Sequence, residues 1–253
     1  MKTLFALLLL SPIASLAQSP FDGTWIIDSK ATQLPQKPAE FLLAKGLFLW
    51  ADTKIKADGS DQKVSETGYW DTISVRVLDN QTVEIISKKA GKIMFTEVDT
   101  VSSDGATLTQ VVKDTTEAQT VTIETRSKRV NPRPSGSHVI SGSWRAYKIS
   151  RSENGSIIKY RCTVDGFSAE TPLGESFDAK FDGKDYPLED DPSHTMVSVK
   201  LLSPSTLEQT NKRDGKIVGI LRLTISPDGN TIQATYENKE AKTTTVSEMR
   251  KQH

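Results

Sequence analysis

The stretch from Lys56 to Arg126 is written twice in this chain. At a constant offset (182 − 58 = 124) Asp58-Gly59 returns as Asp182-Gly183, Gly91-Lys92-Ile93 as Gly215-Lys216-Ile217, and Ser102-x-Asp104-Gly105-x-Thr107 as Ser226-x-Asp228-Gly229-x-Thr231. Of the 71 aligned positions (56–126 against 180–250) 21 are identical, with no insertion in either copy. The identities fall on turns and strands alike, so the chain holds two copies of one folding unit. Each unit must complete a core of its own within about 110 residues, close to ordinary domain size.

Within the unit, Val and Thr are abundant and turn signals recur at short intervals: Asp58-Gly59, Asp79-Asn80, Ala90-Gly91 and Asp104-Gly105, then Asp182-Gly183, Ser203-Pro204, Asp214-Gly215 and Asp228-Gly229. Asp-Gly supplies the positive φ values of a tight hairpin. Short strands joined by hairpins, with no helical periodicity between them, predict an antiparallel meander. A meander of this length leaves two edges open to unwanted pairing, and closing on itself removes them. The expected fold class is therefore all-β: two tandem small antiparallel up-and-down β-barrels.

The expected boundaries are residues 21–127 for the first barrel, 128–139 for a linker containing Pro132, Pro134 and Gly136, and 140–253 for the second. Each unit opens on a glycine-led strand, Gly23-Thr24-Trp25 in one and Gly142-Ser143-Trp144 in the other. The most apolar run, Phe41 to Trp50, is expected as one buried strand or short helix that serves as core, pocket wall or docking face.

Met1-Lys2-Thr3, the apolar run Leu4–Leu10 and Ala14-Ser15-Leu16-Ala17 read as a secretory signal, 1–17, too short to span a bilayer. The single cysteine, Cys162, does not follow the expected cut, so no lipid anchor is expected and the destination is the periplasm or the outside. One cysteine also excludes an internal disulfide, and an alternating strand pattern around it predicts a buried, inert thiol. With 32 basic and 32 acidic side chains there is no excess charge to attract nucleic acid.

Side chains alternate across a strand, so Ile217, Gly219, Leu221, Leu223 and Ile225 form one face, expected inward. The equivalent row of the first copy is Ile93, Phe95, Glu97, Asp99 and Val101. Two carboxylates then stand where the second copy has leucines. Burying them unpartnered costs several kcal/mol, so either a bulge or solvated rim turns them to water or they mark a polar site inside the barrel. Phe95, Glu97 and Asp99 are candidate ligand contacts, and Gln209 and Asn211, aligned with Ile85 and Ser87, are their counterparts in the second copy.

Gly-x-Trp on a first strand, with an arginine at the end of the same repeat, resembles the lipocalin and fatty-acid-binding superfamily of barrels. The runs Phe181-Asp182-Gly183-Lys184-Asp185-Tyr186-Pro187, Lys212-x-Asp214-Gly215-Lys216 and Ser226-x-Asp228-Gly229 look like secreted bacterial lipocalin-like proteins of unknown function. The resemblance implies that Trp25 packs on Arg126 and Trp144 on Arg250, each indole closing its own barrel under a guanidinium. It also implies a binder of a small apolar or amphipathic molecule; a structural or protein-interaction module with solid barrels is the alternative.

His138, His194 and His253 stand at no metal-ligand spacing, and no nucleophile elbow, phosphate loop or dinucleotide fingerprint occurs. No cofactor, metal site or catalytic residue is expected. The acidic run Glu189-Asp190-Asp191 lacks a calcium loop and reads as a solvated turn.

Overall fold

The computed structural model describes residues 19–50, 53–64, 69–116 and 119–253; the segment 1–17 expected as a signal lies outside the described residues. Apart from one 3-10 turn at Asn154–Ser156, the regular structure of the described residues is entirely strand. No helix among them is long and apolar enough to cross a membrane.

Strand β1 is Gly23–Gln33. After it come β2 (Ala39–Ala44), β3 (Leu47–Trp50), β4 (Thr53–Lys56), β5 (Gln62–Lys63), β6 (Thr72–Val77), β7 (Thr82–Lys89), β8 (Lys92–Val101), β9 (Thr107–Asp114), β10 (Val121–Asn131) and β11 (Gly142–Arg151). Strands β2 to β4 and β5 to β11 pair in chain order, and β11 comes back against β2, which leaves β4 and β5 as the two edges. The remaining side is bridged between Asp58 and Arg76, where the Gly59 amide donates to the Val75 carbonyl at 2.8 Å.

The second barrel repeats the pattern with β12 (Ile157–Cys162), β13 (Gly166–Glu170), β14 (Ser176–Lys180), β15 (Tyr186–Pro187), β16 (Met196–Ser203), β17 (Thr206–Arg213), β18 (Lys216–Ile225), β19 (Thr231–Asn238) and β20 (Thr243–Lys251). Strand β1 lies between β20 and β12. Ser176 and Glu189 exchange backbone hydrogen bonds of 2.7 and 3.3 Å to join its last edges. The duplication is visible in detail. Ser102 and Ser226 each donate to the Asp two residues on at 2.5 Å, and the ion pairs Lys88–Asp61 and Lys212–Asp185 recur at 2.7 Å.

The two-barrel, all-β architecture is as expected, but the strands are shared out differently from the expected boundaries. The first strand of each repeat has been exchanged. β1 closes the second barrel and β11, expected to open the second barrel, completes the first. The first barrel is thus the unbroken stretch 39–151, and the second is assembled from 23–33 and 157–251. The expected linker is no linker: residues 128–131 continue β10, and residues 132–141 form a hairpin connection in which the His138 amide donates to the Leu43 carbonyl at 2.8 Å.

The crossing segments explain the exchange. Leu34-Pro35-Gln36-Lys37-Pro38 has only five residues, and its two prolines bias Leu34 and Lys37 toward extended backbone. Such a segment carries the chain onward to the neighbouring barrel where a hairpin would need a reversal. Short, stiff connections of this kind favour exchange of like elements. Where the exchanged strands pass, Arg151 donates from Nη1 to the Ser29 hydroxyl at 3.3 Å.

The indole closure is present in both barrels with partners other than those expected. Trp25 and Trp144 are fully buried, and their Nε1 atoms donate to the Phe21 and Ile140 carbonyls at 2.9 and 2.7 Å. Trp144 lies under Arg129, 4.0 Å from ring centre to guanidinium, and Trp25 under Lys251 at 5.3 Å. Arg126 and Arg250 instead face solvent and pair with Glu124 and Glu248. Two causes combine. The exchange places each indole on the other repeat's last strand, and alternation turns Arg126 outward beside the buried Ser127, with Arg129 brought opposite Trp144 by a bulge.

Arg129 also donates to the carbonyls of Gly105, Ser141 and Val139 at 2.7, 2.7 and 2.6 Å. The glycine of Gly-x-Trp is where this side chain crosses: a Cβ on Gly142 (φ 122°) would lie 2.8 Å from Arg129 Nη1.

Two outcomes are expected. Arg129→Ala should lower stability by about 2–4 kcal/mol, the sum of a cation–π contact and charge-assisted hydrogen bonds. Arg126→Ala should leave the urea midpoint unchanged, and equal losses would refute the assignment. A fragment of residues 38–152 should fold alone with cooperative unfolding, whereas 140–253 should not until a peptide of residues 19–34 is added; circular dichroism and gel filtration check both.

Candidate functional site

The two lumens derive from one strand pattern and have diverged at the same positions. In β8 the pairing with β7 slips between Ser87–Phe95 and Lys88–Ile93, leaving Met94 as the extra residue. The same bulge recurs in β18 with Val218. Ile93 and Ile217 are consequently turned outward (43 % and 48 % exposed), so the inward rows begin at Phe95 and Gly219, not at the isoleucines. The bulge that could have freed the carboxylates acts before them. Beyond it, Glu97 and Asp99 stay on the inner face of the first barrel.

That barrel holds a cavity of about 200 Å³ walled by Phe41, Phe48, Trp70, Phe95, Glu97 and Gln110, with Trp50 at its rim. The walls come from distant parts of the repeat. Phe41 and Phe48 stack at 6.0 Å across the β2–β3 pair, and Trp70 meets Phe95 edge-on at 5.8 Å. The apolar run that supplies the first two is a hairpin of two strands, not the single element expected. It turns at Lys45-Gly46, both with positive φ (50° and 73°).

Glu97 Oε1 accepts from Gln110 Nε2 at 2.9 Å. Asp99, opposite Gln110 in the register, has no exposed surface, and neither of its oxygens has a hydrogen-bond partner among the described residues. Burial, and then the neighbouring Glu97, hold the Asp99 carboxyl well above the usual carboxylate range. Burial also raises Glu97, with Asp99 and Gln110 pulling the other way. Among the described residues no lysine, arginine or histidine lines the cavity.

In the second barrel the equivalent positions are Leu221, Leu223 and Ala234 (97, 99 and 110, each plus 124). Its own cavity, also about 200 Å³, is lined instead by Tyr160, Gln209, Asn211, Arg213 and Tyr236. Gln209 donates to Asn211 at 2.8 Å, and Arg213 pairs with Glu240 at 3.1 Å. Volume has been traded between neighbouring strands: Phe95 and Val112 of the first copy become Gly219 and Tyr236. A Cβ on Gly219 would sit 2.4 Å from the Tyr236 hydroxyl.

The two cavities adjoin a cleft of about 560 Å³ between the barrels, which shares Phe95 with the first cavity and Tyr69 and Glu175 with the second. Tyr69 donates to Glu175 Oε1 at 3.2 Å across this cleft and packs edge-on to Phe95 at 6.4 Å. Burial raises the Glu175 carboxyl, with Asp191 adding to it, and Tyr69 is raised by burial and by the nearby Glu175 and Asp191. The run Glu189–Asp191 lines the cleft, and Asp191 accepts the Ser193 and Thr195 amides at 2.9 and 2.7 Å. Cys162 is buried, and burial raises its thiol.

Of the candidate residues, Phe95 and Glu97 line the first cavity, Asp99 is enclosed in the same barrel without lining it, and Gln209 and Asn211 belong to the separate second cavity. Gln110 and Trp70 were not anticipated. A cross-strand reading of Asp99 against the row Leu108, Gln110, Val112 could have found Gln110; Trp70 precedes a strand and carries no local signal. No family model matches the chain, and no curated relative matches it.

Asp99→Leu, which installs the residue of the second copy, should stabilise the fold by about 1–3 kcal/mol at pH 7 by removing an unpartnered buried polar group. Because the folded carboxyl titrates above its unfolded value of about 3.9, its favourable contribution is complete below that value. It is lost as pH rises through the folded value. The gain should therefore be smaller at pH 4 than at pH 7; urea midpoints that shift equally at both would contradict the burial assigned to Asp99.

Proposed function

We propose that this protein is a lipocalin-like, non-enzymatic binder of a small amphipathic or apolar molecule, acting in the periplasm or outside the cell, with the first barrel as its binding compartment. The observation that carries this reading is an aromatic cavity with one carboxyl, Glu97, among its described lining residues, and a second, Asp99, enclosed beside it on the same strand. Ligand sites are mostly apolar with a few convergent polar groups, and this lumen has that composition. A barrel interior kept only for stability has no reason to hold two carboxyls where the sister barrel holds leucines.

Supporting the family resemblance are the two Gly-x-Trp strands, each crossed by a basic side chain from a last strand. The cavity wall offers, among its described residues, carboxyl, amide and hydroxyl groups and no imidazole, thiol or amine. The second barrel serves as a supporting domain, its Gln209 and Asn211 already bonded to each other. At about 200 Å³ the cavity is below the roughly 300–1,000 Å³ of drug-sized sites, so the ligand is small.

Binding should be measurable as a change in tryptophan emission, since Trp50 and Trp70 line the site. Val112→Phe, which projects a ring into the cavity, should abolish the response while the protein stays folded by circular dichroism. Delipidated protein that binds no small apolar compound, with no copurifying molecule in native mass spectrometry, would end this reading in favour of a solid interaction module.

A further inference from the structure

The chemistry of the first lumen narrows the class of ligand, and this step rests on the binding role proposed above. The buried acids elsewhere are answered by donors. Asp114 accepts the Thr116 amide and hydroxyl at 2.9 and 2.6 Å, and Asp191 accepts two amides. Glu97 accepts from a single amide, and Asp99, completely buried on the same strand face, accepts from no described residue. Around Glu97 stand Phe41, Phe48, Trp70 and Phe95, with no cationic side chain among the described residues that line the space; Asp99 lies outside that lining. The compartment wants a positive charge with several N–H donors and an apolar body.

We propose that the first barrel binds a small primary amine carried on an aryl or short alkyl body, its ammonium held by Glu97 and its apolar part among the aromatic rings. An ammonium brings three donors to a carboxyl that has one amide donor. It supplies the counter-charge that lets the buried Glu97 carboxyl ionise, and the surrounding rings attract it through their faces. A fatty acid of the same size would bring a carboxylate to a wall whose described residues offer it a carboxyl and no cation. A neutral alcohol could donate once and would bring no counter-charge.

The test is calorimetric titration at pH 7 with two isosteric sets: 2-phenylethylamine, 2-phenylethanol and phenylacetate, and hexylamine, hexanol and hexanoate. In at least one set the amine should bind at least about tenfold tighter than the alcohol, with no detectable carboxylate binding. Glu97→Gln should reduce that preference to about threefold or less while leaving the alcohol within about twofold. Glu97→Leu, the residue of the second copy, replaces it if the amide variant does not fold. Alcohols or carboxylates that bind as well as the amines would overturn the amine assignment and leave the binding role standing. Failure of all six compounds to bind would overturn both.

Discussion

The architecture depends on two buried indoles, each laid beneath a cation from a last strand. Trp144 has its ring face under Arg129, its Nε1 bonded to Ile140, and a glycine beside it where the guanidinium passes. Removing so large a buried side chain costs about 3–5 kcal/mol, and the cation adds about 0.5–2 more. This contact is where the first and last strands of a barrel meet, so it decides whether the sheet closes. Trp25 and Lys251 repeat the arrangement in the other barrel, with a more flexible and more strongly hydrated cation in place of the planar fork.

Because the indoles belong to exchanged strands, closure also ties the barrels together. The second barrel cannot be completed without a strand that precedes the first, so the first barrel is an insertion in the second. Two chain segments, 34–38 and 152–156, therefore join the barrels. The cleft between them, with Tyr69 bonded to Glu175, is therefore held by chain connectivity as well as by side-chain contacts. Both lumens share wall residues with this cleft.

The lumens show how one duplicated pattern supports two interiors. The turns are kept down to their Ser–Asp hydrogen bonds, whereas the inward positions have changed in compensating groups: Phe95 and Val112 against Gly219 and Tyr236, Glu97 and Asp99 against Leu221 and Leu223. Turn geometry is local and allows few residue types, while a lumen is constrained by its total volume and by the pairing of whatever polar groups it holds. Glu97 of the first barrel fills its share of the volume with a single amide partner in the cavity wall, and the ligand chemistry follows from it.

How much of this was legible beforehand tracks the range of each interaction. The repeat, the strand-and-hairpin class and the Gly-x-Trp strands all depend on neighbours within a few residues, and the sequence alone determined them. It also singled out Glu97 and Asp99, while leaving open which way they point, because a one-residue bulge can invert a face and its position is not marked by any residue type. Only the tertiary structure decided the rest. Arg126 and Arg129, three residues apart, are equally good partners on paper, and which one meets an indole depends on the pairing register. Which barrel β1 joins was likewise undetermined, because the two repeats offer it near-equivalent edges; the stiffness of Leu34–Pro38 and the whole of both sheets settle that choice together.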